Sequence, residues 1–248
     1  MRTGLIVHIP HSSVEIPPNI RQSLLLTDAE LERELPVMTD LYTDEVPLDL
    51  NSIRIIKAPV SRLVVDVERF RRDEDEPMAR FGMGAVYTRT HDGRELRALT
   101  EESREEMLRR YFDPHHRNLT AATRDELAEH GRCLIVDVHS FSDMPLPHEK
   151  DHNVPRPDIC LGTDEFHTPR RLLESASAFF EGHGFSVKEN SPFAGTMVPL
   201  EFLGEEPSVL SIMVEMNRKW LSDAETGAKK PTAGWLLGLL AEWITKGV

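Results

Sequence analysis

The chain has 248 residues and a formal net charge of −13. This acidic balance excludes a typical nucleic-acid-binding protein, because phosphate binding needs a basic face. The length suits one large domain or two small ones. Since no linker rich in Pro, Gly or Ser divides the chain, we predict a single domain over residues 1–248.

The two cysteines, Cys133 and Cys160, lie in apolar runs and form no CxxC pair, so the sequence does not support a disulfide framework. The apolar stretch near the N-terminus is too short for a signal peptide, and no apolar run approaches membrane-spanning length. We therefore expect a cytoplasmic protein that does not bind membranes or nucleic acid. The oligomeric state is left open.

Short apolar runs alternate with amphipathic stretches along the chain. The predicted strands are 4–9, 53–58, 63–67, 132–138, 157–161, 185–189 and 208–215. The predicted helices are 27–35, 39–46, 100–111, 114–130, 168–182 and 232–246. Several strands are continuous apolar runs, such as "CLIVDV", which is typical of strands covered on both faces. Helices between such strands predict an α/β fold with a mostly parallel sheet.

Two histidines end buried strands. His11 follows "GLIVHIP", and His139 follows "RCLIVDV". Because parallel sheets bind ligands at the carboxyl ends of their strands, we expect the two imidazoles to share one site. Imidazole is a preferred ligand of zinc, and a catalytic zinc site has three protein ligands. Each histidine alone could equally be a capping or core residue.

The third metal ligand should be an acid, and "TDLYTDEV" offers Asp40 and Asp44. If this segment is a helix capped by Thr39, the two aspartates lie one turn apart on the same face. The alternative is that Asp40 only complements the helix dipole. His8 could compete as a ligand, but it lies within a strand whose alternation should turn it elsewhere.

Glu215 lies near the end of the apolar run "VLSIMVEM". A buried carboxylate is costly unless it is paired or has a function, so Glu215 is the candidate general base. The alternative is a buried ion pair with Arg218 or Arg69. Asp137 lies two residues before His139 and should orient it through the free imidazole N–H. Asp66, after the run "RLVVDVER", is predicted to support the site in the same way.

The dipeptide "DP" at 113–114 predicts a helix start, with Asp113 as its cap and His116 in its first turn. A helix N-terminus lowers the pKa of an imidazole and points N–H groups at anions. His116 is therefore a candidate catalytic residue that polarises a carbonyl or stabilises an oxyanion. The alternative is an exposed histidine on a solvated turn.

Arginines near the predicted strand ends would hold an anionic substrate through bidentate hydrogen bonds. The candidates for substrate binding are Arg62, Arg69, Asn217 and Arg218. The sequence contains neither a nucleotide-binding glycine motif nor a nucleophile elbow.

These segments together resemble the N-formylglutamate amidohydrolase family. The resemblance rests on "IPHSSVEIP", "TDLYTDEV", "SRLVVDVERF", "GMGAVYTRTHDG", "RRYFDPHHRNL", "VDVHSFS", "PDICLGTD", "ENSPFAGT" and "VEMNRKWL", in collinear order from residue 9 to about residue 221. The chain departs from the family pattern at Glu68, where an asparagine is typical, and at His115, where a tyrosine is typical.

The resemblance implies a three-layer α/β/α architecture of the phosphorylase/hydrolase-like type, similar to zinc carboxypeptidases, with one Zn²⁺ as cofactor. It implies that His11, His139 and an acid from "TDLYTDEV" are metal ligands and that Glu215 is the general base or acid. It further implies that a small anionic N-acylamino acid is the substrate, with N-formyl-L-glutamate the leading candidate, and that the pathway is histidine catabolism. The alternatives are another zinc-dependent deacylase or peptidase of the superfamily, and a non-catalytic metal-binding homologue.

Overall fold

The structure is a computed structural model, and it describes residues 3–49 and 53–246. Strands in this part of the chain form one mixed sheet in the order β2-β1-β3-β6-β4-β5. Their bounds are β1 Gly4–Ile9, β2 Arg54–Lys57, β3 Cys133–Phe141, β4 Ile159–Gly162, β5 Val187–Glu189 and β6 Val209–Asn217. β4 runs antiparallel to β6, whereas the other neighbouring strands are parallel.

Helices flank the sheet on both faces. Their bounds are α1 Pro18–Arg21, α2 Asp28–Met38, α3 Glu101–Met107, α4 Asp113–His130, α5 Arg170–Gly182 and α6 Pro231–Lys246. Within the described residues, no helix has both the length and the apolar character needed to span a membrane.

Alternation along the strands divides the core into two layers. Val7 and Val136 pack with residues of α5 and α6 on one face of the sheet. Ile6 and Ile135 pack with Leu119 of α4 on the other face. Because successive side chains of a strand point to opposite faces, every central strand is covered on both sides. The predicted three-layer α/β/α fold is therefore confirmed.

The predicted strand 63–67 is wrong. Its apolar residues are buried, which is why it resembles a strand in sequence. However, the amides of Val64 and Val65 both donate to the carbonyl of Ser61, which closes a turn, and the amide of Asp66 donates to the carbonyl of Ala85. Tertiary burial of a β-branched run here overrides its strand propensity.

The predicted helix 39–46 is also wrong. Only residues 43–45 form a helical turn, of the 3-10 type. Thr39 is extended, and Tyr42 adopts a left-handed conformation with φ of 70°, which no α-helix accepts. The amide of Asp40 instead donates to the carbonyl of His11 at 2.9 Å. This bond fastens Asp40 next to the end of β1.

The predicted helices 100–111 and 114–130 form one continuous helical run. A π-helical segment, Leu108–Phe112, joins α3 to α4, and the amide of Asp113 donates to the carbonyl of Leu108. Pro114 has no amide N–H for the preceding turn, and a π-turn is one way to absorb that loss. Asp113 is therefore not a helix cap, and His116 does not lie at a free helix N-terminus.

Candidate active site

Ionisable side chains lie on the α4-facing side of the sheet, near the carboxyl ends of three neighbouring parallel strands. The register pairs His8 of β1 with Asp137 of β3, and His139 of β3 with Glu215 of β6. All four side chains are buried. Since residues two apart share a face, Asp137 and His139 project to the same side, as expected from their spacing.

Three potential ligand atoms meet beside this face. His11 Nδ1 lies 3.2 Å from His139 Nδ1. Asp40 Oδ2 lies 3.5 Å from His11 Nδ1 and 3.3 Å from His139 Nδ1. The three residues are buried. We refer to His11, Asp40 and His139 as the donor triangle.

Carboxylates fix the orientation of both imidazoles in the donor triangle. His11 Nε2 lies 2.8 Å from Asp66 Oδ1, and His139 Nε2 lies 3.1 Å from Asp137 Oδ1. A carboxylate accepts a hydrogen bond, so each Nε2 bears a proton. In the neutral tautomers the two Nδ1 lone pairs therefore face each other and Asp40 Oδ2. Such an arrangement of acceptors needs a positive charge at its centre.

The donor triangle fits a zinc ion. Ligand atoms about 2.0–2.1 Å from a tetrahedral zinc are separated by about 3.3 Å, which matches the three distances above. Asp40 Oδ2 is buried and has no hydrogen-bond partner among the described residues. Its other oxygen, Oδ1, accepts a hydrogen bond from Arg218 Nη2 at 2.8 Å, which fixes the carboxylate. The orphaned oxygen is thus aimed where a cation would be held.

Asp44 lies apart from the donor triangle. Its carboxylate forms an ion pair with Lys57 at 2.8 Å, and both side chains are partly exposed. The sequence-based prediction does not distinguish Asp40 from Asp44, because the predicted helix 39–46 would present both aspartates on one face. The 3-10 turn that replaces this helix turns only Asp40 toward the histidines.

The charges around the donor triangle favour a bound cation or proton. Burial opposes a charge on His139, but Asp137 and Asp40 outweigh it and hold the pKa of this imidazole well above its usual range. Burial likewise opposes ionisation of Asp40, but His11, His139 and Arg218 hold the pKa of its carboxyl well below the usual range. Without a metal ion, the triangle therefore keeps a proton on an imidazole.

Glu215 lies at the end of β6, beside the donor triangle. Its Oε2 is buried without a hydrogen-bond partner, and no ion pair with Arg69 or Arg218 forms in the described structure. Burial, reinforced by Asp40 and opposed by His139, raises the pKa of Glu215 to about 8. Burial therefore outweighs the nearby positive groups and favours the protonated carboxyl, whereas a cation bound beside Glu215 would favour the ionised form.

Asp66 is shared by several donors. Its Oδ2 accepts hydrogen bonds from Arg62 Nη2 at 2.7 Å and from the buried hydroxyl of Tyr87. Arg69 Nε approaches the same oxygen only at 3.5 Å and has no hydrogen-bond partner in the described residues. Arg62 is therefore committed to Asp66, whereas Arg69 keeps donors available for a ligand.

The side chains of Arg218 and Asn217 form hydrogen bonds to other groups of the protein. Arg218 donates to Ser140 and to the carbonyl of Val37 in addition to Asp40. The amide of Asn217 donates to Asp143 and to the carbonyl of Pro157, and its oxygen accepts from the amide of Lys219.

Asn217 is fully buried, and its amide has no free donor, so the predicted role in substrate binding is wrong for this residue. Arg218 positions Asp40.

His116 does not meet the requirements of the predicted oxyanion role. Its Nε2 lies 2.9 Å from the carbonyl of Val67 and must therefore bear the proton. Burial and the positive charge of His8 lower the pKa of His116. The neutral ring then has no proton on Nδ1 to donate.

A second group of ionisable residues was not foreseen from the sequence. His8 Nδ1 lies 2.8 Å from Asp137 Oδ1 and 3.2 Å from Glu68 Oε1, and its Nε2 lies 2.8 Å from His115 Nε2. Burial opposes a charge on His8, but the hydrogen bonds to Asp137 and Glu68 raise its pKa to about 9. Burial lowers the pKa of His115 to about 2. A protonated His8 thus donates to a neutral His115.

The spacing in this second group suits protons rather than a metal. A separation of 2.8 Å is a hydrogen-bond length and is shorter than the distance between two ligands of one tetrahedral ion. The two positions at which the chain departs from the family pattern, Glu68 and His115, both contact His8. Strand alternation could have found His8, since it lies on the same face as Asp137.

A cavity of about 1500 Å³ opens above the donor triangle. His11, Asp40, His139 and Glu215 line its floor, and Arg62, Arg69 and Arg218 line it as well. An apolar section of its wall comes from Met197, Val198, Leu200 and Leu203.

A large cavity at the carboxyl edge of an α/β sheet, with convergent ionisable groups, is the arrangement of an α/β enzyme that binds a small molecule. A family model of the N-formylglutamate amidohydrolases matches residues 3–221. The chain belongs to the N-formylglutamate amidohydrolase family. Hydrolysis of an amide is the class of reaction that this family name describes.

Solved structures share the fold. The crystal structure of N-formylglutamate amidohydrolase from Ralstonia eutropha JMP134 is similar with a TM-score of 0.80 and 18% identity, covering 99% of this chain and 95% of that one. The crystal structure of a gene product from Agrobacterium tumefaciens has a TM-score of 0.70 and 18% identity, covering 98% of this chain and 89% of that one. No curated protein matched the chain.

Proposed function

We propose that the protein is a zinc-dependent amidohydrolase that cleaves the N-formyl bond of a small acidic amino acid. N-formyl-L-glutamate is the leading substrate, and its hydrolysis yields L-glutamate and formate. The observation that carries the proposal is the donor triangle, in which two imidazole nitrogens and an orphaned aspartate oxygen lie 3.2–3.5 Å apart. Membership of the amidohydrolase family supports the reaction class.

His11, Asp40 and His139 would hold the ion. When bound there, zinc would supply a Lewis acid for the acyl oxygen and lower the pKa of water. Asp66 and Asp137 would keep both histidines in the tautomer that presents Nδ1, through their bonds to Nε2. Arg218 would keep the carboxylate of Asp40 turned so that Oδ2 faces inward.

Glu215 would act as the general base and then as the general acid. Its free Oε2 would accept the proton of the attacking water, whose oxygen adds to the formyl carbon. The same oxygen of Glu215 would return the proton to the amide nitrogen as the C–N bond breaks. A cation beside Glu215 would favour its ionised form, which can accept a proton. Because burial raises the pKa of this carboxyl, the ionised form would be a stronger base than an exposed glutamate.

Arg69 would bind a carboxylate of the substrate. Its side chain lines the cavity, and its guanidinium donates no hydrogen bond among the described residues. A planar guanidinium matches a carboxylate with two parallel hydrogen bonds. Arg62 is held by Asp66 and would add positive charge to the same wall.

The proposal is tested by metal analysis of the purified protein followed by an assay on N-formyl-L-glutamate, N-formyl-L-aspartate and N-formyl-L-leucine. We expect one divalent ion per chain and release of formate from the acidic substrates only. Activity that survives complete removal of the metal, or equal turnover of N-formyl-L-leucine, would contradict the proposal. The Glu215→Gln variant serves as the inactive control.

A second candidate is a deacylase that acts on acidic amino acids with a longer N-acyl group. The cavity of about 1500 Å³ is larger than the ~300–1,000 Å³ that commonly suffices for a drug-sized ligand. Leu200 and Leu203 are exposed apolar residues on its wall. Turnover of N-hexanoyl-L-glutamate with a higher kcat/KM than N-formyl-L-glutamate would favour this candidate.

A further inference from the structure

Arg97 is a buried arginine that no acid neutralises in the described structure. The residue is 3% exposed and precedes α3. Its Nη2 donates to the carbonyl of Leu63, and its Nη1 lies 3.2 Å from the sulfur of Met107. Its Nε is buried and has no hydrogen-bond partner among the described residues. Several N–H donors of a charged group are thus left without an anionic acceptor.

Other buried arginines of the protein have a carboxylate partner. Arg104 pairs with Asp73, and Arg156 pairs with Glu149. No ion pair of Arg97 is found in residues 3–49 and 53–246. Burial without a compensating acid lowers the pKa of Arg97 to about 10. A buried charge is costly unless it is paired, so this position is unusual.

A small cavity adjoins Arg97. It has a volume of about 160 Å³, whereas a water molecule occupies about 30 Å³ in the liquid. The residues that line it include Asn19, Ser23, Ser103 and Arg110, together with one acidic residue, Glu106. The cavity shares no lining residue with the large cavity above the donor triangle. It has room for several waters or one small oxyanion.

We propose that this cavity binds a small oxyanion, with Arg97 as the buried counter-charge and the exposed Arg110 as the second cationic group. The chemistry is that of a phosphate, a sulfate or a compact carboxylate, each of which accepts hydrogen bonds from a guanidinium fork. Glu106 opposes such a ligand by like charge. The site is independent of the proposed hydrolase function.

The bound anion would connect two parts of the chain. Arg97 donates to the carbonyl of Leu63, which lies between Arg62 and Asp66 in the irregular segment beside the active site. Asn19, Ile20 and Ser23 also line the cavity. An anion that compensates the charge of Arg97 would therefore stabilise the contact between the segment around Leu63 and the segment that contains Asn19, Ile20 and Ser23. It would not contact the donor triangle.

Isothermal titration with inorganic phosphate, and separately with acetate, tests the proposal at constant ionic strength. Arg97→Met should weaken binding at least about tenfold, because truncating one partner of a buried charge pair typically costs several kcal/mol. Glu106→Gln should strengthen binding, since it removes the opposing charge. The matched control is Arg72→Gln, which removes an exposed arginine paired with Asp75 and should leave the affinity unchanged.

Crystals grown without sulfate or phosphate and soaked in selenate locate the anion directly, and this readout does not depend on whether Arg97→Met folds. We expect an anomalous peak within hydrogen-bond distance of the Arg97 guanidinium. A phosphate response without an acetate response would identify a tetrahedral oxyanion as the ligand, and the reverse would identify a carboxylate. Binding unaffected by Arg97→Met, or only water in the cavity, would overturn the proposal.

Discussion

His11 Nδ1 lies 3.2 Å from His139 Nδ1, although the two residues are 128 positions apart in the chain. Each ring uses its other nitrogen for a carboxylate, Asp66 or Asp137. Two lone pairs can be held this close only when a cation or a proton lies between them. Two buried carboxylates fix the orientation of the two imidazole rings. This arrangement is typical of metal sites and uncommon in an ordinary core.

Replacing both His11 and His139 by alanine should abolish binding of the divalent ion, because only one oxygen ligand, from Asp40, would remain of the donor triangle. We expect about one zinc per chain in the wild-type protein and a content near zero in the double variant, measured by atomic emission after dialysis. The matched control is His152→Ala, which removes an exposed histidine of a polar loop. Stoichiometric zinc in the double variant would refute the assignment.

Glu215→Gln should keep the fold and the metal but lower kcat by about 10²–10⁴, the usual contribution of a general base. The substitution preserves shape while removing the group that accepts the proton. Steady-state kinetics of formate release and a metal assay on the same sample check both parts. Near-normal turnover would remove Glu215 from the mechanism, and loss of the metal would make it a ligand instead.

Arg69→Lys should raise KM for N-formyl-L-glutamate by at least about tenfold, because a lost charge-assisted hydrogen bond costs about 1.5–3 kcal/mol. A lysine keeps the charge but cannot form the planar bidentate contact. Arg72→Lys is the matched control, since Arg72 is exposed and pairs with Asp75. An unchanged KM in Arg69→Lys would show that the substrate carboxylate is bound elsewhere.

The parts of the fold and site that follow from strand periodicity were predictable. A continuous apolar run that ends in a polar residue marks both a buried strand and its functional edge, which located His11, His139 and Glu215 in sequence. The same alternation placed Asp137 on the face of His139. These inferences depend on local patterns only, and the register of the parallel strands then brings neighbouring strand ends together.

The irregular backbone that brings the other site residues together was not predictable, although the sequence named both Asp40 and Asp66 as candidates. Asp40 reaches the site because its amide bonds to the carbonyl of His11, a contact between distant segments that no local pattern encodes. Asp66 likewise arrives on a buried turn that resembles a strand in sequence. The π-segment before Pro114 merges two predicted helices and removes the N-terminus on which the role of His116 was based.

Tyr87→Phe should lower the free energy of unfolding by about 1.5–3 kcal/mol, the usual contribution of a hydrogen bond to a charged group. The hydroxyl of this fully buried side chain donates to Asp66 Oδ2, and its loss leaves Arg62 on that oxygen. Denaturant unfolding measures the change, and zinc should still bind. A stability unchanged within ~0.5 kcal/mol would indicate that water replaces the hydroxyl.

The stability of the protein should depend on Asp158 at acid pH. Its carboxylate accepts hydrogen bonds from Ser186 and Trp220 Nε1 and pairs with Lys219. Burial opposes ionisation, but these partners outweigh it and lower the pKa of Asp158 to about 2. An unfolded aspartate has a pKa of about 3.9. Because the folded value is the lower one, the ionised carboxylate stabilises the protein above about pH 3.9, and this contribution is lost as the pH falls toward 2.

Asp158→Asn should therefore be less stable than the wild type at pH 6, and the difference should shrink as the pH falls below about 3.9, where the wild-type carboxylate begins to lose its advantage. Urea midpoints of both proteins, measured from pH 6 down to the lowest pH at which they fold, give the comparison. Asp28→Asn, which removes an exposed carboxylate paired with Arg21, controls for the loss of a surface charge. A stability difference that is the same at every pH would show that Asp158 acts through its shape and neutral hydrogen bonds, and that its charge does not contribute.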